Sequence, residues 1–169
     1  MALLEIKTYP DEVLRKKTEP VAEIDGALQF LIDDMVETMY AAPGIGLAAP
    51  QVGISKKLVV LDVNLREDQK KYPLIVLANP EIAERHGEIE SEEGCLSLPG
   101  LIATAARAEK VLVRGIDREG KPVEIEAEGL LAVALQHEID HIEGVLLLDR
   151  ISPIKRHFYK KRALKSRER

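Results

Sequence analysis

His137 and His141 stand four residues apart, with Glu138 directly after the first, in the run Gln136-His137-Glu138-Ile139-Asp140-His141. At 3.6 residues per turn this HExxH spacing puts both imidazoles on one face of a helix, a single turn apart, where one metal ion can take both. Glu138, offset by about 100°, can reach across the ion toward a water molecule. Two imidazoles leave the ion short, because a catalytic site usually has three protein ligands and one open position. The candidates for the third are Cys95, Glu143 and the carboxylates downstream. Glu143 comes only two residues after His141 and points off the ligand face, and Asp149 is the one acidic residue between 145 and 154. A zinc endopeptidase would need an inward-facing glutamate on a further helix, and this stretch serves it poorly.

Cys95 lies in Glu92-Glu93-Gly94-Cys95-Leu96-Ser97. A thiolate is a strong ligand for zinc or ferrous iron, and the adjacent glycine lets backbone approach the ion. A lone cysteine is more often a small buried hydrophobe. Composition favours that plainer role, and the polar neighbours fit it less well. A third segment, Gly44-Ile45-Gly46-Leu47-Ala48-Ala49-Pro50-Gln51-Val52-Gly53, is no phosphate loop, since it lacks both the Lys-Ser/Thr pair and the GxGxxG order. It reads as tightly packed backbone between a helix and a strand, with Gln51 able to offer an amide donor.

These groups need elements to position them. Residues 1–20 read as an extended or irregular arm broken by Pro10 and Pro20. Asp25 can cap a helix running to about Ala41, whose stripe is Leu28, Leu31, Ile32, Met35, Val36 and Met39, and Pro43-Gly44 ends it. Leu58–Val63 and Leu74–Ala78 are branched apolar runs that suggest strands buried on both faces, joined by the polar stretch Asn64–Tyr72. Residues 81–98 read as Glu-rich strand or loop. Lys110–Ile116 and Pro122–Ala127 flank Asp117-Arg118-Glu119-Gly120 as a hairpin, and the second strand alternates Val123, Ile125 and Ala127 with Glu124, Glu126 and Glu128. A helix over about Gly129–Ile142, apolar on most sides and broken by Gly144, should be the buried central one. Ser152-Pro153 opens a last helix.

With 46% hydrophobic and 31% charged residues in a 169-residue chain, a single α+β domain is expected, its core built from Leu, Ile, Val and Ala because there are two Phe and no Trp. One cysteine excludes an intrachain disulfide framework and fits a reducing compartment. Neither a signal-peptide pattern nor an apolar run of about 20 residues is present, so a soluble cytoplasmic protein is expected. From Lys155 to Arg169 eight Lys or Arg face one acidic residue, a balance of +7, so residues 1–154 carry −12. The tail has no recognisable nucleic-acid module, and a solvated terminal helix or contact with a ribonucleoprotein surface fits better than specific DNA binding.

Together, and in this order, the three segments resemble the peptide deformylases, whose pattern is GxGLAAxQ, EGCLS and HExDH. Here they fall at Gly44–Gln51, Glu93–Ser97 and His137–His141. The likeness runs from the N-terminal arm to the basic helix and favours the common bacterial form. It implies one catalytic domain over 1–169, including a C-terminal helix at about 153–169. Its fold would be antiparallel or mixed β-sheets packed around a central helix carrying HExxH. It further implies Cys95, His137 and His141 as ligands of one divalent ion, Fe²⁺ foremost, with Zn²⁺, Ni²⁺ or Co²⁺ able to take the same place.

The implied reaction is hydrolysis of the N-formyl group from formyl-methionyl ends of nascent polypeptides. Glu138 would be the base, with Gln51 and the backbone N–H of Leu96 facing the developing oxyanion. Ile45, Leu96, Val133, Ala134 and the edge of His137 would form the methionine slot, and backbone of Gly46 and Gly94 would pair with an extended peptide. Asp140 would either orient a histidine or be a plain polar helix residue. Many family members carry arginine where this chain has Ile102, which weakens any arginine contact with the peptide beyond Met. Two other classes stay open, a metallo-endopeptidase and a non-catalytic metal-binding domain. The expected partners are formylated nascent peptides and, through the tail, the ribosome. No membrane is expected, and nothing in the sequence calls for more than a monomer.

Overall fold

The computed structural model describes residues 2–66 and 72–167. An arm with one 3₁₀ turn at Glu12–Arg15 leads into α1 (Gly26–Ala41) and β1 (Gly46–Ala48). A 3₁₀ turn at Ala49–Val52 connects to β2 (Leu58–Leu61). After a further turn at Val63–Arg66 come β3 (Ile75–His86), β4 (Ile89–Gly94), β5 (Ile102–Arg107), β6 (Lys110–Ile116) and β7 (Pro122–Glu128). Helix α2 (Gly129–Ile142), a short turn at Leu147–Asp149 and α3 (Pro153–Arg167) complete the order.

The helix bounds have local causes. The Asp25 carboxylate accepts the Leu28 N–H at 2.9 Å, which caps α1. Helix α2 begins at Gly129 and is followed by Gly144, both with positive φ. At Gly144 a side chain would be strained, by the positive φ and because a β-carbon would lie 3.1 Å from the Arg15 carbonyl oxygen. Ser152 Oγ accepts the Lys155 N–H at 3.3 Å at the start of α3.

Five strands form one sheet in the order β1-β2-β3-β6-β7, and β4 pairs with β5 in a separate ribbon. The period of two in β2 divides the large sheet between two helices. Leu58 and Val60 face Ile32, Met35 and Met39 of α1, whereas Val59 and Leu61 face Leu131, Leu135 and Ile139 of α2. Double burial of these strands follows directly. Each such Leu or Ile contributes about 1.5–3 kcal/mol by leaving water. A third cluster joins Leu14 of the arm, Leu98 and Leu101 after the cysteine, Leu146–Leu148 and Tyr159 of α3.

The fold is α+β, with helices packed on sheets. Every named strand pair is antiparallel, and the parallel contact is an isolated bridge between Glu19 and Lys56. The mixed-sheet alternative therefore gives way to the antiparallel one. Two strand assignments also change. Strand β3 continues past Ala78 to His86 because β6 supplies a partner along that length. Strand β5 forms from Ile102-Ala103-Thr104-Ala105-Ala106-Arg107, where no strand was expected, because β4 pairs with it residue for residue. Residues 67–71 of the polar connection and 168–169 of the tail lie outside the described residues. Among the described residues no helix is long and apolar enough to cross a membrane.

Candidate metal centre

Helix α2 carries His137, Glu138 and His141, and Cys95 follows directly on β4. One ligand atom from each of Cys95, His137 and His141 lies within 4.8 Å of the others. Cys95 Sγ is 3.3 Å from His141 Nε2. On His137, Nδ1 is taken by Glu93 Oε1 at 3.0 Å, which leaves Nε2 for an ion. A thiolate and two imidazoles make a donor set suited to zinc or ferrous iron, so the residues fit a divalent ion. The other candidate third ligands point elsewhere: Glu143 pairs with Lys57 at 3.5 Å, and Asp149 pairs with Arg15.

Behind the histidines lies a buried ionic chain that the sequence reading did not assign. Arg107, 4% exposed, donates from Nε and Nη2 to the two oxygens of Glu93 at 2.9 and 2.7 Å, and from Nη1 to Asp140 at 2.8 Å. Asp140 also accepts from Arg150 at 2.9 and 3.1 Å. The histidine is thus oriented by Glu93, and Asp140 acts one step further back, through Arg107. A signal was available, since Arg107 continues the inward positions Ala103 and Ala105 of β5 and an arginine on a buried face needs a carboxylate partner.

Electrostatics follow from this chain. Burial opposes ionisation of Glu93, but the Arg107 fork and His137 outweigh it and hold the carboxyl at about 2. Burial also opposes protonation of His137, but Cys95 and Glu93 override it and move its pKa well above the ordinary value. His141 moves the other way, lowered by burial and by the His137 and Arg107 charges. Burial raises Glu138 to about 7 against the pull of His137 and Arg107. Its Oε1 and His141 Nδ1 are buried with no hydrogen-bond partner.

A cavity of about 240 Å³ opens beside these groups. Ile45, Leu96, Val133 and Ala134 give it an apolar wall, Gly46 and Gly94 border it, and Gln51, Cys95, His137 and Glu138 supply its polar end. Every residue singled out for catalysis or substrate contact borders this cavity, and so do Cys95 and His137 of the three proposed ligands. The lining also includes Pro43, Gly44, Ser91, Glu92, Glu93 and Leu130, to which the sequence alone assigns no site role. Gln51 is fixed by its own backbone neighbourhood: Oε1 accepts the Ala48 N–H at 2.9 Å, so Nε2 faces Ser97 Oγ at 3.2 Å and Cys95 Sγ at 3.8 Å. Ile102 is exposed opposite Gly94, and its carbonyl accepts from Lys155 Nζ at 3.3 Å.

The Polypeptide deformylase family model matches residues 3–157. A peptide deformylase of Thermodesulfovibrio yellowstonii is 62% identical over 162 residues, which is 96% of this chain and 97% of that protein. The crystal structure of a peptide deformylase from Legionella pneumophila superposes with a TM-score of 0.89 at 51% identity, covering 98% of this chain and 96% of that one. A deformylase from Ehrlichia chaffeensis, solved in complex with actinonin, gives 0.91 at 38% identity and covers 98% of both chains. With a family match over nearly its whole length and relatives this similar, the chain belongs to the peptide deformylase family.

Proposed function

We infer that this protein is a metal-dependent hydrolase that removes the N-formyl group from N-formylmethionyl ends of nascent polypeptides and releases formate. The observation that carries the reading is the convergence of Cys95, His137 and His141 beside Glu138 at the polar end of an apolar-walled cavity, in a chain of this family. Cys95, His137 and His141 hold the ion. Fe²⁺ is our assignment for it, with Zn²⁺, Ni²⁺ and Co²⁺ compatible with the same soft donors. When bound, the ion supplies Lewis acidity, which lowers the pKa of a water and polarises the formyl oxygen.

The chain's own residues do the rest. Glu138, with a pKa raised to about 7, takes a proton from the attacking water and passes it to the departing amine as the C–N bond breaks. The Gln51 amide, held by Ala48 and Ser97, and the Leu96 N–H face the oxyanion as its charge develops. Ile45, Leu96, Val133 and Ala134 take the methionine side chain, with the edge of His137 at its end. Gly46 and Gly94 offer backbone to an extended peptide, the mode by which sheet edges bind peptides.

Iron-loaded protein incubated with formyl-Met-Ala-Ser should release formate and leave internal peptide bonds intact. New internal amino termini would favour an endopeptidase, and metal-dependent folding without turnover a binding domain. No formate with a fully occupied metal site overturns the reading. The exposed basic residues of α3 suit contact with ribosomal RNA near the exit, and the protein acts as a monomer in this proposal.

A further inference from the structure

The three segments that build the site end at three carbonyls: Gln51 O, Ser97 O, and Ile142 O just after His141. One stretch of the N-terminal arm takes all three. Lys7 N–H donates to Gln51 O at 2.7 Å, and Tyr9 N–H donates to Ser97 O at 2.8 Å. The Thr18 hydroxyl donates to Ile142 O at 2.6 Å. Between these points the arm is itself anchored. Leu14, 1% exposed, packs with Leu98 and Leu148, Arg15 donates to Gly144 O at 3.0 Å, and Asp11 caps the intervening turn through Val13 N–H at 3.0 Å.

None of these arm residues lines the cavity. What they fix is separation. Gln51 and Ser97 are already tied through their side chains at 3.2 Å, and the arm ties their backbones as well. Among the described residues no backbone hydrogen bond joins α2 to either segment. The end of α2, with His141, is held to them by packing, by Glu93 acting on His137 and, through Arg107, on Asp140, and, at its last carbonyl, by Thr18. That carbonyl is one of those a helix end leaves without an internal partner, and Thr18 satisfies it in dry surroundings at 3% exposure.

We propose that Lys7–Thr18 is a positioning clamp, setting the distance between the end of α2 and the Gln51–Cys95 side of the site and, through that distance, the turnover. The proposal rests on the deformylase reading above. Its residues touch neither substrate nor ion, and they act by geometry, where a displacement of about 1 Å can cost on the order of 10²-fold in rate.

Thr18→Val removes the hydroxyl with little change of shape, and Thr18→Ser keeps it. Lys7→Pro removes the donor N–H, and Lys7→Ala keeps it. In the full-length protein, kcat and KM on formyl-Met-Ala-Ser, loss of metal into excess chelator, and the visible spectrum of the cobalt-loaded form are measured for each. Thr18→Val should lower kcat by on the order of tenfold with KM within about twofold, hasten metal loss and shift the cobalt bands. Thr18→Ser should restore all of these, and Lys7→Pro should lower kcat where Lys7→Ala does not. If Lys7→Pro does not fold, the isosteric Thr18 pair decides alone. A Thr18→Val protein that melts earlier but keeps kcat, metal release and cobalt bands has lost only stability, which overturns the clamp. Failure of Thr18→Ser to restore them does so too. A wild-type protein that releases no formate counts against the deformylase reading instead, and the chelator and cobalt measurements still decide the clamp.

Discussion

Glu138 stands so close over Gly46 that a β-carbon there would lie 2.5 Å from Oε2 and 2.9 Å from Cδ. The carboxylate occupies space that only glycine leaves open. Gly46→Ala should push the carboxylate aside and lower kcat by roughly 10²-fold. Metal content, measured by emission spectroscopy, should stay at the wild-type level because the three donors lie elsewhere. A near-normal kcat would show that Glu138 does not need its observed position.

Glu138→Gln keeps the size of the side chain and removes the proton acceptor. It should retain metal while kcat falls by about 10²-fold or more. Cys95→Ala should lose both metal and activity. The pair separates chemistry from ion binding, and an active Glu138→Gln protein would require another base.

Arg107 bridges the buried carboxylate of Glu93 and the partly buried one of Asp140. Arg107→Met leaves Glu93 buried and charged with His137 as its remaining partner, and unfolding in denaturant should show a loss of about 3–5 kcal/mol. Arg107→Lys should recover little of it, because an ammonium cannot reproduce the planar fork. Equal stability of Arg107→Lys and wild type would mean that charge alone suffices.

Glu93 also sets an acid limit. Its folded pKa of about 2 lies below the ordinary carboxyl value, so between the two the unfolded chain binds more protons. The contribution is present above about pH 4.5 and is lost as pH falls toward 2, amounting to on the order of 3 kcal/mol. Denaturation of the metal-free protein should show wild type and Glu93→Gln converging in stability as pH falls through this window. A constant difference across it would assign the acid sensitivity to other groups.

The tail from Lys160 onward can be removed without touching a proposed ligand. Truncation should spare metal content and most hydrolysis of a short formylated peptide, while weakening co-sedimentation with ribosomes. The full-length protein should lose ribosomes as salt rises, since phosphate contacts release counterions. Equal ribosome binding by both proteins rules out this role.

Local signals served best where the chain punctuates itself. Helix α2 is legible to its end residues because Gly129 and Gly144 bracket a run that is apolar on most sides, and the β6–β7 hairpin because Asp117–Gly120 is a strong turn signal. Strand β5 is not, since its alternating burial is carried by alanines with weak strand preference. Its existence depends on pairing with β4. The same distinction holds in the site. His137 and His141 are neighbours by helical period, whereas Glu93, Arg107 and Asp140 meet only through tertiary folding. The arm reads as irregular in the sequence because its order comes from carbonyls far along the chain.

Cys95 and the two histidines are separated in the chain by β5, β6 and β7. During its own synthesis the protein therefore cannot assemble the donor set until α2 has been made and packed. An unfinished copy has one donor of three and no base. Each new molecule can therefore act on the formylated ends of other chains only after α2 has been made and packed.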